Sequence, residues 1–348
     1  MQQYFVPDIY VEHSASEQKP TIESFSSLYI SKEIGFSCLE PIVLTSILDI
    51  EKYDFLTADL MLTHCINVYF NNGGERLYLL SIPQDVDKFE DYLATRCDRL
   101  VDLESISIIQ LLKTQEDIEL QNLLSKYCKK SHRVSVCSVA DISIVDKLDN
   151  TTCFYPNMYD KNNNLIPSFV YATALFSFIG RTQNIADSVA NIELKNCVKL
   201  SDESVTKKGI NRVINTHNQG IKLWGVRTLN SDIDFINTQR VLLYIKRTIL
   251  YIIKWSIFEP NSEQLQEKLI RQIKNFLYKL YKNQALKGDT EAEAFSIVCD
   301  SRNNSADDYS NGKINFDIGV SIAKPLEFIV IRFNRVENDN NQATINLT

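Results

Sequence analysis

Apolar residues recur along the chain with two periods, about 3.6 and 2, and the switches between them divide it into elements. β-prone runs predict strands over Ser27 to Ile34, Leu77 to Ile82, Ser105 to Leu112 and Val134 to Val139. Helical spacing predicts helices over Asp54 to Val68, Asp85 to Asp98 and Glu116 to Lys130. Strand, helix, strand over 105–139 is a βαβ pattern and predicts a small parallel pair. Between the first helix and the second strand stands Asn71-Asn72-Gly73-Gly74, where a glycine pair supplies the positive φ that a helix-to-strand turn requires. Residues 141–219 give little beyond a turn at Asn162-Asn163-Asn164.

Further on the periods are cleaner. An apolar-basic helix runs from Thr238 to Phe258 and is ended by Glu259-Pro260. A second runs from Glu263 to Gln284, with Leu265, Leu269, Ile273, Phe276, Leu277 and Leu280 on one face. Lys268, Arg271, Lys279 and Lys282 fall on the opposite face, within an arc of roughly 80° at 3.6 residues per turn. On the first helix Arg240, Arg247 and Lys254 recur every seventh residue. A β-prone Ala294 to Asp300 follows, then an Asn-rich loop and two more β-prone runs ending at Pro325 to Phe333. Helix, helix and strands in that order predict a compact α+β unit. Trp255 and Phe258 lie one turn apart before the proline and are expected between that helix and the strands. At the chain ends, Tyr4, Phe5, Val6, Ile9, Tyr10 and Val11 are β-prone, and Ala343, Ile345 and Leu347 alternate with polar residues.

Composition narrows the function. With 348 residues the chain can bury two or three cores. Its 44 acidic against 37 basic residues give a net charge of −7, which disfavours nucleic acid as main partner. No run is long and apolar enough to span a bilayer, and Met1-Gln2-Gln3-Tyr4-Phe5 is not a signal sequence, so a cytoplasmic protein without membrane insertion is expected. Eight scattered cysteines form no Cys-x-x-Cys pair and read as reduced buried thiols. The four histidines lack partners at metal-ligand spacing, no nucleophile elbow or EF-hand spacing is present, and the turn after Leu112 lacks the glycines of a dinucleotide site. The expectation is no metal, no cofactor and no catalytic residue; an α/β enzyme built on 105–139 is the alternative of another class.

Several local motifs stand in a fixed order. They are Trp224-Gly225-Val226-Arg227-Thr228-Leu229, Trp255 to Asn261 with Phe258 and Pro260, Glu293-Ala294-Phe295 with Cys299-Asp300, and Lys324-Pro325-Leu326-Glu327-Phe328. In that order and spacing they resemble the C-terminal domain of contractile tail sheath proteins. Pro7-Asp8-Ile9-Tyr10-Val11-Glu12, Phe70 to Gly74 and Gly209-Ile210-Asn211 are similar to family elements as well, whereas Arg181 to Asn191 shows no match.

The resemblance implies an α+β, tail-sheath-like fold of mixed α/β subdomains. Its parts would be an N-terminal arm at 1–20, an N-terminal and middle region at 21–208, a C-terminal sheath domain at 209–335 and a C-terminal arm at 336–348. Trp224, Gly225, Arg227, Trp255, Phe258, Pro260, Phe295, Asp300, Pro325 and Phe328 would be its core motif residues. It implies a structural subunit of stacked hexameric rings in a helical sheath, with an inner tube protein and baseplate and cap proteins as partners. The basic residues of the two helices, Lys268, Arg271, Lys279, Lys282, Arg240, Arg247 and Lys254, would then face the tube, and both arms would add strands to neighbouring subunits. A baseplate-proximal or tail-terminator component is the alternative within the class.

Overall fold

The computed structural model describes residues 26–31, 41–82, 89–95, 106–112, 117–138, 148–182, 184–202, 209–217, 219–229, 235–259, 262–307 and 314–324. The chain runs β1 (Ser26–Ser31), β2 (Ile42–Leu44), a 3-10 turn (Ile47–Lys52), α1 (Asp54–Ala58), α2 (Leu60–Asn71), β3 (Leu77–Ser81), α3 (Phe89–Leu93), β4 (Ile106–Leu111), α4 (Ile118–Lys130) and β5 (Val134–Ser138). It continues through β6 (Thr151–Tyr155), β7 (Met158–Tyr159), β8 (Leu165–Ile166), α5 (Ser168–Thr182), β9 (Lys199–Leu200), β10 (Asn211–Thr216) and β11 (Gly220–Trp224). The last elements are α6 (Ile236–Lys254) with a 3-10 turn (Trp255–Phe258), α7 (Glu263–Lys282), α8 (Glu291–Ala294), β12 (Phe295–Val298) and β13 (Asp317–Val320).

One eight-stranded sheet dominates, in the order β11-β10-β6-β5-β4-β1-β3-β2. The pairs from β10 through β3 are parallel, and β11 and β2 close the edges antiparallel. The parallel pair expected at β4 and β5 is thus the middle of a much larger sheet. Both faces are covered. Tyr29, Leu77, Leu79 and Ile108 pack with α2 and α5, while Leu28, Ile30, Tyr78, Leu80 and Ile109 pack with α3 and α4. A register shift at Ser26/Ser27 against β4 puts Ile106 and Ile109 on the same face three residues apart. Strands buried on both sides lose polar alternation, which is why β1, β3, β5 and β6 read as plain β-prone runs.

The illegible middle of the sequence holds α5, apolar on nearly every side and wedged against the sheet. A helix buried all round has no polar stripe to reveal it. Ser168 fixes its start: its N–H donates to Asn157 Oδ1 at 3.0 Å and its hydroxyl to the Phe154 carbonyl at 2.8 Å.

Of the glycine pair after α2, only Gly73 takes positive φ, at 92°. Gly74 serves sterically instead, since a Cβ there would lie 2.2 Å from the Tyr69 ring.

β10 and β11, which follow Gly209, belong to the large sheet. The second core starts with α6 and is shared by α6, α7, α8 and the two-stranded sheet β12-β13. The expected third run of that unit, 325–333, lies outside the described residues, as do both arms.

Candidate functional site

α7 carries the clearest surface. Ser262 caps it, accepting a hydrogen bond from Leu265 N at 3.2 Å, and Glu263 in the first turn and Lys279 and Lys282 in the last complement the helix dipole. Leu265, Leu269, Ile273, Phe276, Leu277 and Leu280 are buried, the six positions of the predicted apolar face. Lys268, Arg271, Lys279 and Lys282 are all exposed. Gln264 and Asn275 fall in the same arc and no acidic residue does. Aromatic rings brace two of the cations. Lys268 Nζ sits 4.3 Å from the Trp255 ring centre, and Lys282 Nζ sits 5.4 Å from that of Tyr278. Among the described residues Arg271 and Lys279 have no acidic partner, whereas Lys274, outside the arc, pairs with Glu291 at 2.9 Å.

α6 differs from its expectation. Lys254 is exposed, but Arg240 and Arg247 are buried at 5% and 8% exposure. The seven-residue spacing does place them on one face; that face meets the large sheet unit rather than solvent. α6 is held between two cores: Ile236 and Leu243 join the sheet core, and Val241, Ile245 and Ile252 join the second one. Its polar residues tie it down. Gln239 Nε2 donates to Asn150 Oδ1 at 2.6 Å, Asn237 Nδ2 to the Ala186 carbonyl at 3.0 Å and Arg240 Nη2 to the Phe176 carbonyl at 2.9 Å. Burial pushes the Arg240 guanidinium down to about 10, so it remains protonated at neutral pH.

The Trp224 to Arg227 motif also works differently. Trp224 is 53% exposed at the end of β11, so it is not a core residue of this chain. The structural weight rests on Asn211, which sequence reading singled out only as part of a family-like element. Arg227 N donates to its Oδ1 at 2.7 Å, and its Nδ2 lies 2.8 Å from the Arg227 carbonyl, 3.0 Å from Thr152 Oγ1 and 3.1 Å from the Cys153 carbonyl. Gly225, at φ 132°, lets this clamp close, since a Cβ would lie 2.6 Å from Asn211 Oδ1. The Arg227 guanidinium lies over Phe235, 5.8 Å from its centre.

Trp255 is 41% exposed, not enclosed between helix and strands, because the 3-10 turn after α6 swings it onto the α7 surface beside Lys268. Phe295 is buried in the second core. Asp300 is exposed and organises a loop instead. Its carboxylate pairs with Arg302 Nη2 at 2.7 Å and accepts from Arg302 N at 2.9 Å, contacts that pull it down to about 2. Pro260, Pro325, Phe328 and the side chain of Phe258 lie outside the described residues.

The six described cysteines are free. Among the described residues no three His, Cys, Asp or Glu side chains gather as a metal site, and no helix is long and apolar enough to cross a membrane.

This architecture, a doubly covered sheet joined through α6 to a small α+β unit, is the fold of contractile sheath proteins. Residues 228–335 match the family profile of the phage tail sheath C-terminal domain. A tail sheath protein of Vibrio phage KVP40 is 30% identical over 140 residues, which are 39% of this chain and 20% of that protein. The chain thus aligns with about a fifth of that curated relative's length. Among solved structures, a chain of the anti-feeding prophage baseplate superposes with a TM-score of 0.78 at 20% identity, covering 96% of this chain and all (100%) of the other. A chain of the contracted anti-feeding prophage helical sheath gives 0.75 at 21% identity, with 95% and 99% coverage.

Proposed function

We propose that the protein is a structural subunit of a contractile sheath, which surrounds an inner tube and drives it through a target envelope. The observation that carries this is the end-to-end likeness to a chain of a contracted helical sheath, covering 95% of this chain and 99% of that one. Copies stack as hexameric rings around the tube, between a baseplate and a cap, and the particle assembles in the cytoplasm. Work comes from repacking between two arrangements of the same folded subunit, not from catalysis.

Two surfaces suit this role. The basic arc of α7, with its aromatic braces, fits an acidic tube wall, and salt-sensitive contacts of this kind form and break without a hydrophobic seam. Lys254 extends it; Arg240 and Arg247 drop out of the tube-facing set because they are buried. The two-stranded sheet β12-β13 is marginal by itself, and an arm strand from a neighbour, Tyr4 to Val11 or Ala343 to Leu347, would complete it.

Electron microscopy of the purified full-length chain tests the proposal: tubes or stacked rings are expected, and compact monomers at all concentrations would refute it. Deleting 1–12 or 337–348 is expected to leave a folded chain that no longer polymerises. A baseplate-proximal role is the second reading, favoured by the likeness to a baseplate chain at TM-score 0.78; single rings that never extend into sleeves would select it.

A further inference from the structure

A small cleft lies where α6 crosses the start of β4 and the turn between α4 and β5. Ser107, His132, Arg240, Tyr244 and Arg247 line it, with apolar residues between them, and none of the lining residues is acidic. Arg240 is the key group. It is 5% exposed, its guanidinium lies 4.6 Å from the centre of the Phe176 ring, and Nη2 is spent on the Phe176 carbonyl. Its other terminal nitrogen, Nη1, is buried with no hydrogen-bond partner. A guanidinium has five donors and a fixed fork, and burying half of it unsatisfied is costly unless a ligand completes it.

His132 supplies a second, independent observation. It follows the end of α4 with φ 56°, while Arg133 N donates back to the Cys128 carbonyl at 2.9 Å. Glycine or asparagine normally fills this left-handed position. A histidine there accepts backbone strain and brings its ring to the cleft wall. Burial and the charges of Lys246, Arg247 and Arg133 all disfavour its protonated form. The cleft is therefore a concentration of positive charge in a chain whose net charge is −7.

The cavity measures about 20 Å³. A single water needs roughly 10–15 Å³, so the space suits one small polar head better than a phosphate with its four oxygens. We infer that the cleft is a carboxylate-binding site, in which the unpartnered Nη1 edge of Arg240 receives one carboxylate beside Arg247 and His132. That carboxylate comes either from an Asp or Glu side chain of a second copy of this chain or from a free small acid. The second source does not depend on the sheath reading, so the dispersed chain tests the site separately.

The purified full-length chain is titrated with sodium acetate against sodium chloride and sodium phosphate at constant ionic strength. The C–H protons of its four histidines are followed by NMR. His132→Asn, which tolerates the left-handed backbone, assigns the signal. Acetate alone is expected to move the His132 resonance saturably and to raise its titration midpoint. Arg240→Leu is expected to abolish the response; should that variant not fold, Arg240→Lys, which keeps charge but loses the fork, is expected to weaken it about 10-fold. In assembled particles, studied by magic-angle-spinning NMR, a His132 signal already shifted and indifferent to acetate identifies a side chain of a second copy. A signal that still responds identifies a free acid. Equal responses to acetate, chloride and phosphate, a response that survives in Arg240→Leu, or a His132 resonance unmoved in both dispersed and assembled protein would overturn the inference.

Discussion

The eight-stranded sheet and the two-stranded sheet of the second core are built for different degrees of self-sufficiency. Every residue of β1, β3, β5 and β6 is buried, and helices cover both faces. In β12 only Phe295 is buried, and β13 alternates exposed and half-buried positions. The first sheet satisfies its backbone and buries its side chains within one chain. Among the described residues the second has two strands only, and it packs against α6 and α7. The proposed sheath role calls for both: a body that stays rigid and a part that neighbours would complete.

Substitutions sharpen that contrast in order of size. Phe154→Ala, in the centre of the sheet core, is expected to cost about 3–5 kcal/mol, and Ile318→Ala in β13 only about 1 kcal/mol in the dispersed chain, measured by chemical denaturation. Equal losses would erase the distinction between the two sheets. Asn211→Ala removes the clamp on Arg227 and strands buried donors and acceptors at the junction of β6, β10 and the segment between β11 and α6. A loss of about 2–3 kcal/mol is expected in the same assay. Trp255→Ala is expected to cost under about 1 kcal/mol, as an exposed ring under one lysine, while lowering sleeve yield. A cost above about 3 kcal/mol would return Trp255 to the core. Smallest per residue is reversal of Lys268, Arg271, Lys279 and Lys282 to Glu, at about 0.5 kcal/mol or less each. Tube-bound sleeves are nevertheless expected to disappear, and normal sleeves at low salt would reduce the arc to ordinary solvated surface.

Legibility followed solvent. α7 has one wet and one dry face, so its six buried residues and four exposed cations could be read directly from spacing. α6 has cores on two sides, and the seven-residue spacing of Arg240 and Arg247 says that they share a face but not what covers it. α5 and β6 have no wet face, which left 151–182 almost silent. Of the sheet, β1, β3, β4 and β5 were legible and the short edge strand β2 was not, and its width depends on pairings between distant segments, such as Asn211 with Phe154. Tryptophan misled for a related reason: a large apolar ring suggests a core, yet Trp224 and Trp255 both lie on the surface of the isolated chain.

Amide hydrogen exchange on the dispersed and the assembled chain tests the contrast between the two sheets most directly. Amides of β1, β3, β4, β5 and β6 should be strongly protected in both forms, whereas those at the outer edges of β12 and β13 should exchange rapidly in the dispersed chain and become protected only on assembly. Full protection of β12 and β13 in the dispersed chain, or unchanged rapid exchange there after sleeves have formed, would contradict the proposal that neighbouring subunits complete this part of the fold.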